Sequence, residues 1–213
     1  MDRLIKEIIS SRTKSRYGKR FVDSGVSPES LGWGSLAQQE QRFQFLTETY
    51  WDVIFNRRII DIGSGFGDFY GHLIRKGWSG NYLGVELLTE FFDVAIERYG
   101  KKFFLNIDIF DVNTITSDVS IALGLLNYKN TEINKLDYAK NFIEKSFHFS
   151  NEIIFDLLSS DTPENIRDDW VHYWDSDELE ILKSSTDGEF SWVLNKDRIP
   201  ANEYLIYVRK SQE

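Results

Sequence analysis

From residue 57 onward, two patterns of apolar residues alternate along the chain. Short, nearly continuous apolar runs such as RRIIDI at 57–62 are typical of strands that are buried on both faces of a sheet. Between these runs, apolar residues recur every three or four positions, which is the spacing of one helix face. The patterns predict strands at 57–62, 81–86, 101–107, 118–124, 152–158, 190–195 and 203–210, and helices at 67–77, 89–100, 131–147 and 177–185.

This alternation predicts the fold class. Repeated strand–helix units indicate a parallel sheet with helices on both faces. The last two strands have no helix between them, which predicts an antiparallel hairpin. We therefore expect an α/β fold with a doubly wound, mostly parallel seven-stranded sheet. Ligands of such sheets bind beyond the carboxyl ends of the strands.

Residues 1–56 precede this core. The first helix is predicted to be amphipathic, with one apolar face formed by Leu4, Ile5, Ile8 and Ile9. A loop rich in Gly and Ser is expected at 17–34 and a second helix at 35–55, where Ser35 and Gln38 have the spacing of a capping box. Without repeats or long linkers, we expect residues 1–213 to form a single domain.

Composition narrows the function classes. The chain has no cysteine, which excludes disulfides, cysteine zinc sites and thiol nucleophiles. Its net charge is −9, but the first 20 residues carry +5, so the remainder carries −14. An acidic body repels the phosphate backbone and so disfavours a nucleic-acid partner. No membrane span or signal segment is evident, and the basic start is interpreted as a helix rather than an organelle presequence. We therefore expect a cytoplasmic protein. The expected oligomeric state is a monomer or homodimer.

The candidate chemistry begins at the stretch DIGSGFGD, residues 61–68, where a predicted strand passes into a helix. One interpretation of its three glycines is a tight turn that needs positive φ. The other is a ligand that lies against bare backbone at a helix N-terminus. A dinucleotide fingerprint would place a third glycine at residue 68, but Asp68 stands there, and no P-loop Lys follows. Acidic residues at both ends favour a ligand that carries positive charge.

IIDIGSGFGD resembles the first motif of class I S-adenosylmethionine-dependent methyltransferases, and the resemblance extends over about residues 57–213. It implies that Gly63, Gly65 and Gly67 line the cofactor and that Asp61 binds its ammonium group. It also implies that Glu86, at the end of the second strand, accepts the ribose hydroxyls, with Leu87 against the adenine. Further cofactor contacts are predicted for Ser64, Asp108, Ile109, Leu123 and Arg42, the last to the cofactor carboxylate. Asp108 has an alternative interpretation as a turn or cap residue.

The acceptor is less evident. The tetrapeptide N-P-P-Y of methyltransferases that act on DNA amino groups is absent, and no carboxylate cluster indicates a metal site. The family implies that residues 1–56 form a helical lid and that the segment after the fifth strand shapes the acceptor pocket. Substrate contacts are predicted for Trp33, Asn127, Tyr128, His172, Tyr173 and Trp174. The alternative for the aromatic group after the fifth strand is core packing, for Trp33 a purely structural place at the surface, and for Arg42 a solvated helix position.

His172 is the candidate general base, because an ordinary histidine pKa suits proton transfer near neutral pH. His148 is interpreted as a helix cap, His72 as exposed, and Asp156 as structural. The expected reaction is in-line transfer of the methyl group to an oxygen or nitrogen of a small molecule, with S-adenosylhomocysteine as the product. Alternatives are an RNA or protein methyltransferase, a non-catalytic cofactor-binding scaffold, and a nicotinamide oxidoreductase, which Asp68 disfavours.

Overall fold

The computed structural model describes residues 3–129, 133–186, 190–196 and 202–211. Seven strands form one mixed sheet in the order β3-β2-β1-β4-β5-β7-β6. They are β1 Arg58–Ile62, β2 Asn81–Glu86, β3 Phe104–Asn106, β4 Val119–Ala122, β5 Glu152–Leu158, β6 Phe190–Asn195 and β7 Glu203–Lys210. β7 runs antiparallel to both β5 and β6, whereas β2 pairs in parallel with β1 and β3, and β4 with β5. The predicted mostly parallel sheet with a final hairpin is confirmed.

The helices alternate with the strands as the apolar spacing predicted. They are α1 Arg3–Ser24, α2 Leu36–Ile54, α3 Asp68–Arg75, α4 Thr89–Tyr99, α5 Lys135–Ser146 and α6 Ser176–Ser185. A short 3-10 helix, Pro28–Leu31, lies between α1 and α2. The start of the helix predicted at 131–147 lies partly outside the described residues, and the described helix begins after the cap Asn134.

The chain divides into two compact units, Met1–Ser117 and Asp118–Glu213. The first contains β1–β3 with α1–α4, and the second contains β4–β7 with α5 and α6. The single domain expected from the sequence stays a prediction.

In the first unit, an aromatic layer covers β1–β3 beside α3 and α4. Tyr70 of α3 stacks on Tyr82 of β2 with ring centroids 4.4 Å apart, and Phe104 meets the Tyr82 ring edge-on at 5.7 Å. Gly84 of β2 lies opposite Asp61 in the strand register. Because Gly84 has no side chain, the ring of Phe104 fits where a Cβ would otherwise stand.

The N-terminal segment differs from the prediction. α1 continues to Ser24, through half of the loop that was expected at 17–34. The reason is tertiary: Tyr17, Phe21 and Leu31 pack on a buried cluster formed by Phe66, Leu88 and Phe91. These contacts stabilise helix where the local Gly and Ser content indicated loop.

Two local predictions about α2 and α3 are corrected by their packing. Ser35 accepts from the Gln38 N–H as expected, but the Gln38 side chain accepts from the N–H of Gly34, so the capping box is not reciprocal. His72, expected on an exposed face, is only 3% exposed. α2 covers it, with Thr47 bonded to Nε2 and Glu40 to Nδ1 at 3.2 and 3.0 Å.

The core of the second unit lies around β5, β7 and α5. It contains fully buried apolar residues from each element, among them Phe142, Ile154, Phe155 and Ile206. Trp174, which follows the loop after β5, is also fully buried and completes this core. The described residues contain no helix that is long and apolar enough to cross a membrane.

Candidate functional site

The glycine loop begins where β1 ends and closes at the first residue of α3. Gly63, Gly65 and Gly67 all have positive φ, at 74°, 54° and 78°. The loop is attached to β2 by the N–H groups of Gly63 and Ser64, which donate to the Val85 carbonyl. The positive φ values mean that the tight-turn interpretation accounts for part of this glycine pattern.

Close contacts explain the rest of the pattern at two positions. A Cβ at Gly67 would lie 2.8 Å from the ring of Phe104 and 2.9 Å from that of Tyr99. A Cβ at Gly65 would lie 2.8 Å from Cδ2 of Leu31. Leu31 therefore packs directly on the loop backbone, so the N-terminal segment covers the loop at Gly65.

Two carboxylates are buried beside this loop, one on each of the first two strands. Asp61 and Glu86 are only 4% and 5% exposed. In the part of the chain that the structure describes, neither forms an ion pair with Lys, Arg or His. Buried carboxylates without a cation are costly, so a cation bound beside them would stabilise their ionised forms.

Burial raises the pKa of Asp61 to about 7. The hydroxyl of Tyr82 donates to its Oδ2 at 2.5 Å and lowers this pKa, whereas the negative charges of Glu86 and Asp68 raise it. Near neutral pH the Asp61 carboxyl is thus close to the midpoint of its titration. A cation bound here would favour the ionised form.

Glu86 is bonded to the loop itself. Its Oε2 accepts from the N–H of Gly65 at 2.8 Å, and its Oε1 accepts from the N–H of Leu88 at 2.9 Å. Burial raises its pKa, and these backbone bonds oppose that effect. Each carboxylate oxygen has a second lone pair, so Glu86 retains the capacity to accept from the hydroxyls of a ligand.

Asp68 forms a separate link between helices. Its carboxylate accepts from Arg98 of α4 at 2.8 Å and from Gln39 of α2 at 3.1 Å. The ion pair partly neutralises the charge that was expected to repel a diphosphate. The electrostatic argument against a diphosphate therefore rests mainly on Asp61, because an acid at the end of the second strand, such as Glu86, also occurs in dinucleotide sites.

The other predicted cofactor residues of the first unit lie as follows. Asp108 caps a short 3-10 helix by accepting from the Phe110 N–H at 3.0 Å, as in its alternative interpretation. Ile109 is buried, and Leu87 packs against the Phe66 cluster. The Ser64 hydroxyl is buried without a hydrogen-bond partner among the described residues and lies over Gly84.

Arg42 and Trp33 form a pair that the sequence predicted as two separate ligand contacts. The Arg42 guanidinium lies 4.5 Å from the centroid of the Trp33 ring, and the residue is buried rather than solvated. The Trp33 ring also meets Phe43 edge-on at 6.3 Å. Their roles toward a ligand stay predictions.

Apart from Trp33, the predicted acceptor residues lie in the second unit. Leu123, the predicted cofactor contact after β4, precedes Gly124, whose N–H donates to Asp156 at 2.5 Å. This bond is consistent with a structural role for Asp156. Asn127 is buried and accepts from the Leu158 N–H at 2.8 Å, and Tyr128 pairs with Val171 in an isolated bridge.

Of the aromatic group after β5, Trp174 and Tyr173 hold the segment in place. Trp174 is fully buried and its backbone bonds Leu158, which agrees with core packing. The Tyr173 hydroxyl accepts from the Asp168 N–H at 2.9 Å and its ring lies under Arg167. The neighbouring Trp170 is 65% exposed.

His172 belongs to a charged triad that sequence reasoning missed. Its Nε2 lies 2.9 Å from Glu178 and 2.7 Å from the Lys135 ammonium, which also pairs with Glu178. Burial lowers the His172 pKa, Glu178 raises it and Lys135 lowers it. Lys135 and Glu178 each lie in the first turn of a helix, where charged residues are ordinary, so no sequence signal distinguished them.

His148, predicted to cap a helix, bonds the Glu144 carbonyl through Nδ1 at 2.8 Å. Among the described residues, no group of three or more His, Asp or Glu side chains is arranged to hold a metal ion.

No protein-family model and no curated protein matches the sequence. Solved structures do match. The magnesium protoporphyrin IX methyltransferase ChlM of Synechocystis PCC 6803 with bound SAH aligns at a TM-score of 0.61 and 12% identity, over 98% of this chain and 99% of its own. The DhpI–SAH complex aligns at 0.66 and 14%, over 94% and 97%. The methyltransferase domain of bacterial CtHen1-C aligns at 0.61 and 12%, over 82% and 100%.

The sequence identities of 12–14% are too low to transfer function, so these structural similarities establish the fold alone. The chain has the fold of the class I S-adenosylmethionine-dependent methyltransferases.

Proposed function

We propose that this protein is an S-adenosylmethionine-dependent methyltransferase. The observation that carries the proposal is the pair of buried carboxylates, Asp61 and Glu86, which lie beside a glycine loop without a cationic partner among the described residues. A sulfonium nucleoside with an ammonium group supplies positive charge to such a site, whereas a diphosphate adds negative charge. The structural likeness to proteins crystallised with S-adenosylmethionine or its product supports the same cofactor.

The residues of the first unit fit this cofactor. Asp61 would accept from its ammonium group, and Glu86 from its ribose hydroxyls. Gly63, Ser64, Gly65 and Gly67 would present backbone to it, and Leu87, Asp108, Ile109 and Arg42 complete the proposed set. Leu123 of the second unit stays a prediction from the motif.

When bound, the cofactor supplies a methyl group that is already activated by the sulfonium. The work left to the chain is to bind, orient and exclude water, and positioning of this kind is worth about 7–11 kcal/mol in favourable cases. A general base is needed only for an acceptor that is not already anionic. We propose His172 for that role, because its ring is fixed by Glu178 and its depressed pKa leaves it neutral at physiological pH.

We propose a small-molecule acceptor, with transfer to oxygen or nitrogen. The net charge of −14 outside the first 20 residues disfavours a polyanionic substrate. The similar ChlM structure is that of a methyltransferase for magnesium protoporphyrin IX, which is a small molecule. Trp33, Asn127, Tyr128, Tyr173 and Trp174 stay predicted substrate residues, and the cytoplasmic location and the monomer or homodimer stay predictions from the sequence.

A second candidate is an RNA methyltransferase. It is favoured by the basic charge of α1 and by the similarity to the Hen1 methyltransferase domain. HEN1 is a small RNA methyltransferase, but this chain covers only 25% of that longer protein.

Isothermal titration with S-adenosylmethionine, S-adenosylhomocysteine and NAD tests the proposed cofactor. We expect micromolar binding of the first two and none of NAD. Glu86→Gln removes the charge but keeps an acceptor, and Asp61→Asn does the same on β1, so each variant is expected to bind at least tenfold more weakly. Asp52→Asn, an exposed position on α2, is the matched control and is expected to bind normally.

Unchanged affinity in both site variants, or binding of NAD alone, would contradict the cofactor assignment. With the product bound, a thermal-shift screen of small molecules and total RNA then compares the two acceptor classes. Methyl transfer from labelled cofactor to the best acceptor separates an enzyme from a binding scaffold.

A further inference from the structure

A tyrosine that no motif indicates lies next to the acid of the glycine motif. Asp61 and Gly84 are partners in the parallel register of β1 and β2, and Tyr82 stands two residues before Gly84, on the same face of its strand. Because Gly84 contributes no side chain, Tyr82 supplies the nearest polar group on β2 that faces Asp61. The two residues are in contact through the Tyr82 hydroxyl, which donates to Oδ2 of Asp61 at 2.5 Å.

The Tyr82 ring is packed on two sides in the position that makes this bond. It is 6% exposed, it stacks on Tyr70 at an interplanar angle of 25°, and the edge of Phe104 closes its other side. A donor fixed by packing on two sides keeps its geometry without further ordering when a ligand arrives.

We propose that Tyr82 is a positioning residue for the cofactor: its phenol fixes the Asp61 carboxylate by one oxygen, Oδ2, so that the other, Oδ1, receives the ammonium group of the ligand. This inference rests on the proposed function, because it assigns a second residue to the same site. Tyr82 does not touch the cofactor itself. It acts through Asp61, both by orientation and by favouring the ionised form that a cation requires.

The titratable groups around the Asp61 carboxylate come from three elements. On β2 they are Tyr82 and Glu86, and on α3 they are Asp68, already paired with Arg98, and Tyr70. From α4, Tyr99 acts on Tyr82 rather than on Asp61. Of these groups, Tyr82 favours the charged form of Asp61, whereas the negative charges of Glu86 and Asp68 oppose it.

The test is the pH dependence of S-adenosylhomocysteine binding to the full chain, measured by titration calorimetry from pH 5.5 to 9. For the wild type we expect affinity to fall about tenfold per pH unit below pH 7, where Asp61 becomes protonated. In Tyr82→Phe the lost hydrogen bond raises the Asp61 pKa by about one unit, so binding is about fivefold weaker at pH 7 and recovers at pH 9.

Tyr70→Phe is the matched control, because it removes a hydroxyl from the ring stacked on Tyr82 and leaves the bond to Asp61 in place. Its pH profile is expected to match the wild type. A ¹³C NMR titration of the Asp61 carboxyl in the ligand-free protein gives the same shift directly, and a folding defect would not imitate it.

The outcomes separate the two levels of inference. If the wild type binds no S-adenosylhomocysteine at any pH, the proposed function fails and this proposal fails with it. If the wild type binds and Tyr82→Phe keeps the affinity and the pH profile of the wild type, with the Asp61 pKa unchanged in the NMR titration, the positioning role alone is overturned.

Discussion

At the scale of single residues, Gly67 meets two requirements that can be measured separately, a positive φ and the absence of a Cβ beside packed aromatic rings. Its φ of 78° is strained for any residue with a Cβ, and a Cβ would also lie 2.8 Å from Phe104. Gly77, at the end of α3, has a φ of 80° but nothing within 4 Å of a Cβ. The two positions therefore share the backbone cost and differ in the steric cost.

We expect Gly77→Ala to lower the free energy of unfolding by about 1–2 kcal/mol, the usual cost of left-handed backbone. Gly67→Ala should cost about 1–3 kcal/mol more, because the added methyl group overpacks the aromatic layer. Urea denaturation of both variants measures the difference. Equal losses would mean that the loop, rather than the packing of Phe104 and Tyr99, sets the requirement at Gly67.

The raised pKa of Asp61 makes the stability of the protein depend on pH. Its folded pKa of about 7 lies above its ordinary value of 3.8, so the fold favours the protonated form. The stability that this proton provides is complete below pH 4 and is lost as pH rises toward 7. Asp61→Asn mimics the protonated acid and does not titrate. Its free energy of unfolding relative to the wild type should therefore rise by about 2–3 kcal/mol from pH 5 to pH 8.

Urea denaturation of both proteins at the two pH values measures this change, with exposed Asp52→Asn as the control that should show none. A gain that does not grow with pH would contradict the raised pKa. A buried carboxylate that destabilises the fold is typical of functional sites, where stability is balanced against function, and this agrees with the role proposed for Asp61.

At the scale of elements, α5 and α6 meet through the triad of Lys135, His172 and Glu178. Burial would raise the Glu178 pKa, but hydrogen bonds from Lys135 and His172 lower it overall. The stabilising contribution of this carboxylate is therefore present at neutral pH and is lost as pH falls below its ordinary value of 4.5.

Glu178→Gln keeps the capping box of α6, since glutamine serves at that position, and removes only the charge. We expect a loss of about 1 kcal/mol at pH 7 that shrinks toward pH 4, as for a partly exposed ion pair. The same variant should lower the His172 pKa, which Glu178 raises. NMR titration of His172 checks this, and Glu180→Gln, on the exposed side of α6, should change neither quantity.

The elements themselves were predictable from the sequence, and their partners were not. The mostly parallel sheet and the final hairpin followed from local alternation, and the position of Asp61 followed from a motif. Tyr82 and Leu31 were missed because their contacts depend on strand register and on the packing of the N-terminal segment, which no local pattern contains. For the same reason α1 was predicted too short and His72 was expected at the surface.

At the scale of the whole molecule, charge is distributed unevenly. The first 20 residues are basic with a net charge of +5, and the rest carries −14. Part of the basic charge is already used, since Lys6 pairs with Asp111 and Arg3 with Glu7. A polyanion approaching this protein would meet one cationic helix and an otherwise repulsive surface.

We therefore expect a 20-nucleotide single-stranded RNA to bind more weakly than about 100 µM at 150 mM salt, beyond the usual range of non-specific binding. Fluorescence anisotropy measures this, with Lys14→Glu/Lys19→Glu as the variant, because both side chains are exposed on α1. Micromolar binding that this variant abolishes, with a steep dependence on salt, would favour the RNA substrate. No binding in either protein leaves α1 with its packing role over the glycine loop and favours a small acceptor.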